Sequence, residues 1–186
     1  MAKIVGSTAA CAREVSGLDE VERWHRHFGV YGICLDGGVK LLVVRKGKGP
    51  YAGRYDLPGG TVEEGEPLTA ALMREFVEEA GIEVEALRQI GLCDYLVPYP
   101  LVKRGTTHIH HVAAFYEARP LAGVEMPSDS PPQFEQQDSL GAVWVSVEEL
   151  SDSNCSPLVM QAVDWIGGKA WPLDCRRLDN WTVLRK

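Results

Sequence analysis

Glu75, Glu78 and Glu79 stand at i, i+3 and i+4, so on a helix their carboxylates share one face. Like charges at that spacing destabilise a helix unless something compensates them. Hard divalent cations such as Mg2+ prefer carboxylate oxygens, keep several waters and bridge to substrate phosphates, so this face reads as a site for one or more of them. The plainer reading is a solvated helix face balanced by the neighbouring Arg74.

These glutamates belong to a longer spaced pattern. Gly60 is followed after five residues by Glu66, and after seven more by Arg74-Glu75-Phe76-Val77-Glu78-Glu79-Ala80-Gly81-Ile82. The pattern resembles the signature of the Nudix hydrolase superfamily, with Phe76 where that family tends to place an aliphatic residue. The resemblance implies the α/β Nudix fold, an α/β/α sandwich with a mixed β-sheet between helices. It also implies Mg2+ (or Mn2+) as cofactor, with Glu78 and Glu79 as principal ligands. Glu75 would be a further ligand or a base acting through water, and the backbone carbonyl of Gly59 or Gly60 would complete the coordination. Gly60, Glu66, Arg74 and Gly81 become architecture, Arg74 and Glu66 pairing to tie the loop to the helix. Family members often add an acidic residue from a late loop, and Asp138 or Glu135 stands in that region; a turn-forming Asp is the alternative for Asp138.

The activity implied is hydrolysis of a pyrophosphate bond in a nucleoside diphosphate linked to another moiety, by metal-activated water attacking phosphorus. Substrates open to such a site are nucleoside triphosphates, nucleotide sugars, ADP-ribose, dinucleoside polyphosphates and capped RNA, because the signature reads only pyrophosphate and metal. Two other functions share the fold. A non-catalytic nucleotide-binding or regulatory module usually has a damaged glutamate set, and an isoprenoid diphosphate isomerase needs a catalytic cysteine segment that this sequence lacks.

Weaker candidates surround the motif. Arg45, Lys46, Lys48 and Arg54 flank the Gly-rich stretch 47–53, where cationic side chains could meet a phosphate tail. His108, His110 and His111 crowd a strand-like run, where alternation puts His108 and His110 on one face and His111 on the other. His108 and His110 are candidates for phosphate or base contact, against a reading as polar surface. Tyr51, Tyr55, Tyr95 and Tyr99 suit either base stacking or sheet packing.

Several elements must hold these groups. Apolar residues Leu68, Ala71, Leu72, Phe76 and Ala80 recur at helical spacing, which predicts a helix over 67–80 stopped by Gly81. Runs 28–35 and 39–45 favour strands and flank Asp36-Gly37-Gly38, a hairpin turn. Residues 54–58 read as a short strand that Pro58-Gly59-Gly60 ends. Further strands are expected near 84–95, 107–118 and 142–147, and a helix over 157–166. A long polar loop spans 119–141. Residues 1–27 read as an N-terminal arm or short helix, 28–166 as the Nudix domain, and 167–186 as a C-terminal extension packing on it.

Composition limits the partners. With 186 residues and 45% hydrophobic content, one compact domain is expected. A formal charge of −7 argues against gripping duplex nucleic acid, so phosphates must be met by cations or placed basic groups. Cys11, Cys34, Cys93, Cys155 and Cys175 form an odd set without close pairs, which suggests a reducing, cytoplasmic setting. No apolar run reaches membrane-spanning length, and the one before Cys11 is too short for a signal sequence. The expected partner is a small nucleotide-type molecule, with a homodimer left open.

Overall fold

The computed structural model describes residues 21–101, 104–122 and 139–184. Its strands are β1 (Trp24–Asp36), β2 (Lys40–Lys46), β3 (Tyr55–Asp56), β4 (Gly59–Thr61), β5 (Val84–Leu101), β6 (Thr106–Pro120), β7 (Ser139–Ser146) and β8 (Arg176–Arg177). Two helices, α1 (Leu68–Ala80) and α2 (Pro157–Ile166), complete it. The eight-stranded sheet runs β3-β2-β1-β6-β5-β8, with β4 also on β1 and β7 also on β2. β1 pairs parallel with β6, and β5 parallel with β8, while the other pairings are antiparallel.

Both faces of the central strands are buried, which is why β1 and β2 read as continuous apolar runs. Val30, Cys34, Leu42 and Val44 meet Ala71, Leu72 and Phe76 of α1. Tyr31, Ile33, Leu41 and Val43 meet Leu158, Val159 and Ala162 of α2. The sheet therefore lies between the helices, an α/β/α sandwich. Phe76 is seated where β1 has no side chain, since a Cβ on Gly32 would lie 2.5 Å from Phe76 Cζ. The aromatic ring at this family position is thus accommodated by a glycine beneath it.

The hairpin forms only at its tip, with Leu35 opposite Leu41 and Asp36 opposite Lys40. Below it the two strands part. β1 takes β4 on the same edge, Tyr31 opposite Gly59, while β2 turns to β3 and β7. The amide of Gly32 donates to Pro58 O at 3.0 Å at the divide. This split opens the cleft that becomes the site.

One sequence expectation changes, and two gain detail. Residues 24–27 are strand, paired with His108–His111 of β6, rather than arm or helix; residues 1–20 lie outside the described part. The short strand before Pro58-Gly59-Gly60 is present as β3, and Gly59 and Gly60 go on to form a further strand, β4, because Gly59 adopts φ 145° and its missing Cβ lets β4 approach β1. The tail packs on the domain and adds a strand to it: β8 lies on β5, Trp171 packs edge-on against Phe115 at 5.0 Å, and its indole N–H donates to Leu92 O.

Candidate active site

α1 begins after Pro67 without a side-chain cap and ends at Gly81, whose amide donates to Val77 O. Its apolar face is fixed against the sheet, so the opposite edge of the face must carry Glu75, Glu78 and Glu79 toward the cleft. All three line a cavity of about 570 Å3, together with Gly59, Gly60, Lys46, Lys48, Asp56 and an aromatic wall.

The three carboxylates have different surroundings. Glu79 is 7% exposed, accepts the Gly59 amide at 3.1 Å and holds the Lys46 ammonium at 2.7 Å. Glu75 lies against Gly60, where a Cβ would stand 2.7 Å from its carboxylate oxygens. Burial pushes the Glu75 carboxyl above its ordinary range, a shift opposed by the Arg74 hydrogen bond and reinforced by Glu79 and Glu78. Glu78 is half exposed and sits 3.2 Å from Arg74.

Arg74 forms the bracket. Its Nε and Nη2 donate to both oxygens of Glu66, at 2.9 and 3.0 Å, and Nη2 also donates to Thr61 O. Glu66 in turn accepts the Glu63 amide. A planar guanidinium suits such two-point pairing with a carboxylate. The expected tie between loop and helix is present, and Arg74 reaches Glu75 as well, at 2.9 Å.

A divalent cation suits this donor set. Three carboxylates on one helical turn repel one another, and the Glu75 carboxylate is held at the Gly60 backbone because that residue has no Cβ. Among the described residues no three His, Cys, Asp or Glu groups form a preassembled metal cage.

The opposite wall comes from β1, β6 and the loop between β2 and β3. His111, fully buried, is bonded on both ring nitrogens: Nε2 to Tyr31 OH and Nδ1 to Tyr51 OH, each at 2.9 Å. Burial drives its pKa well below 6.5, so it is neutral, with one nitrogen donating and the other accepting. His27 joins at 3.3 Å from Tyr31 OH, its pKa lowered to about 4 by burial, then by His25 and Lys46.

Sequence reasoning placed some of these groups and missed others. Of the four basic residues near the loop, Lys46 and Lys48 line the cavity. Arg45 instead lies 5.8 Å from the Tyr55 ring centre, and Arg54 is buried under Trp181. Ile109 and His111 face the cavity, whereas His110 pairs with Asp94 at 2.8 Å and His108 contacts Trp24 and Thr107. Alternation along β6 separated the two sets correctly, but which one faced the site depended on the layering. Asp138 and Glu135 lie outside the described residues. His27, Asp56 and Tyr31 had no local signal.

Asp56 is buried, and its Oδ1 accepts from Ser156 Oγ at 2.6 Å and from the Leu57 amide at 3.0 Å. Burial raises its pKa to about 6, against the pull of Lys46 and Ser156. The folded metal-free protein therefore holds this proton more tightly than the unfolded chain, whose Asp titrates near 3.8. Stability is highest below pH 4 for this group and falls as pH rises through 6, by up to about 3 kcal/mol. Asp56→Asn keeps the Oδ1 acceptor without the charge. In urea unfolding it is expected to be more stable than the parent at pH 8, with the gap closing toward pH 4; a pH-independent gap would contradict this.

Comparison with known proteins agrees with the geometry. The NUDIX domain family matches residues 23–164. A Mycobacterium tuberculosis protein named "Putative 8-oxo-dGTP diphosphatase 2" is 32% identical over 145 residues, covering 77% of this chain and 84% of its own. A MutT-like protein of Streptomyces ambofaciens is 27% identical, over 75% of this chain and 76% of its own. Among solved structures, a Nudix hydrolase of Nitrosomonas europaea superposes with a TM-score of 0.58 at 23% identity, covering 80% of this chain and 94% of its own. No helix among the described residues is long and apolar enough to cross a membrane. The chain belongs to the Nudix hydrolase superfamily and is an enzyme of its pyrophosphohydrolase type.

Proposed function

We propose that this enzyme cleaves a pyrophosphate bond in a nucleoside diphosphate linked to another moiety, using Mg2+ or Mn2+. The observation that carries the reading is the single cavity shared by Glu75, Glu78, Glu79 and an aromatic, neutral-histidine wall. The glutamate side suits the phosphates, and the wall of Tyr and His suits a base. A nucleoside triphosphate with an oxidised purine is the first substrate to test, since that is what the mycobacterial relative's name specifies.

Glu78 and Glu79, with Glu75 and the Gly59 backbone, would hold the cation, which neutralises phosphate charge and lowers the pKa of bound water. Lys46, which pairs with Glu79, and Lys48 line the same cavity and would meet phosphate oxygens. Glu75 would act either as that further ligand or as the base that takes the proton of the attacking water. The water oxygen bonds to phosphorus as the bridging P–O bond breaks, giving a nucleoside monophosphate and a second phosphate-bearing fragment. Arg74 and Glu66 keep α1 and the β4 loop in register during this. Asp138 and Glu135 are retained as candidates for an added acidic group.

A panel assay decides the substrate. Release of phosphate or pyrophosphate would be measured from nucleoside triphosphates, oxidised dGTP, ADP-ribose, nucleotide sugars, dinucleoside polyphosphates and capped RNA, with Mg2+ and Mn2+. Hydrolysis of a member of the panel supports the proposal. Tight nucleotide binding with no turnover of any would instead indicate a binding module.

A further inference from the structure

We infer that the C-terminal segment 176–184, beyond the family-matched region, is a positioning element of the substrate cavity, with Trp181 as its latch on the loop 47–53. The inference rests on reading the cavity as the substrate site.

Lys48, Gly49, Pro50 and Tyr51 of this loop line the cavity. Three glycines in seven residues make the loop costly to order; its own backbone bonds, Gly53 N–H to Lys46 O and Arg54 N–H to Tyr51 O among them, shape the turns, and contacts from outside add to them. On the inner side Tyr51 OH meets His111. The outer contacts come from the tail. The Trp181 indole N–H donates to Pro50 O at 2.7 Å, and its ring stands edge-on to Tyr51 with centres 5.7 Å apart. Arg54, at the end of the loop, stacks 4.2 Å over the indole and donates from Nη1 to Thr182 O at 2.7 Å.

Arg54 is 7% exposed, and its Nε has no hydrogen-bond partner among the described residues. A buried guanidinium is tolerated only where something replaces its water, and here the tail carbonyl and the indole face do so. The tail is itself anchored. β8 pairs with β5 at Tyr95 and Leu96, the Leu178 amide donates to Leu96 O, and the Trp181 amide donates to Leu178 O. β5 also contributes Tyr99 and Leu101 to the cavity. The tail thus links one wall of the cavity to the glycine-rich loop that forms another.

Trp181→Phe removes the N–H together with the five-membered ring and keeps a smaller aromatic face for Arg54 and Tyr51. Three quantities would be compared with the parent: KM and kcat for a nucleotide the full chain hydrolyses, and hydrogen exchange of residues 47–54. Loss of one hydrogen bond worth about 1 kcal/mol predicts a KM raised about fivefold. kcat should change less than about twofold, because the glutamates are untouched. Exchange should quicken in 47–54 and not in α1. Arg54→Met, which removes the stacked cation and its donor, should act in the same direction. Unchanged exchange in a folded Trp181→Phe protein overturns the latch. Faster exchange with unchanged KM overturns it too, since the tail would then stiffen the loop without serving substrate. If the full chain neither hydrolyses nor binds a nucleotide, the reading of the cavity fails, and the exchange comparison alone still supports or overturns the latch.

Discussion

Glu78→Gln is expected to lower kcat about a hundredfold or more while leaving the unfolding midpoint nearly unchanged. The two effects separate because of where Glu78 sits. It is half exposed, so its loss opens no cavity, and its Arg74 partner keeps both oxygens of Glu66. Removing one of three clustered negative charges also relieves repulsion along α1. A neutral amide is a much poorer ligand for a hard cation, and loss of a few kcal/mol of charge stabilisation is worth that factor in rate. Near-parental turnover by a folded Glu78→Gln protein would remove Glu78 from the metal site.

The second large effect is structural. Gly59→Ala should cost about 3 kcal/mol or more in urea unfolding, with activity falling alongside. At φ 145° an alanine is strained wherever it stands. Its Cβ would also overlap the Val30 carbonyl and come within 2.8 Å of Tyr31 Cα. Both are backbone, so no rotamer change relieves the overlap. β4 would have to leave β1, and the Gly59 amide would leave Glu79. A loss below about 0.5 kcal/mol, the size of an ordinary surface substitution, would show that β4 is not held as described.

These two positions also mark what the sequence discloses. Glu78 is legible because helical spacing is local: the apolar stripe from Leu68 to Ala80 fixes the buried face, and the glutamates follow. Helix α2 is legible for the same reason. Gly59 is harder, because Pro58-Gly59-Gly60 has the composition of a turn, and only the approach of β1 makes a strand of it. The far wall of the cavity is less legible still. His27 and His111 are 84 residues apart and face each other across a parallel pairing of β1 with β6, which leaves no local signature. Arg54 misleads for a related reason: a cation beside a glycine-rich loop suggests phosphate, yet its partners arrive from the tail at Trp181 and Thr182.

An intact glutamate set bracketed by Arg74 distinguishes a hydrolase from a module that only binds nucleotide, and the cation is the point at which that distinction can be tested. The most direct measurement is turnover of a hydrolysed nucleotide against free Mg2+ or Mn2+, with and without excess chelator. Turnover should vanish in chelator and return when the cation is restored. Full turnover in excess chelator would contradict it.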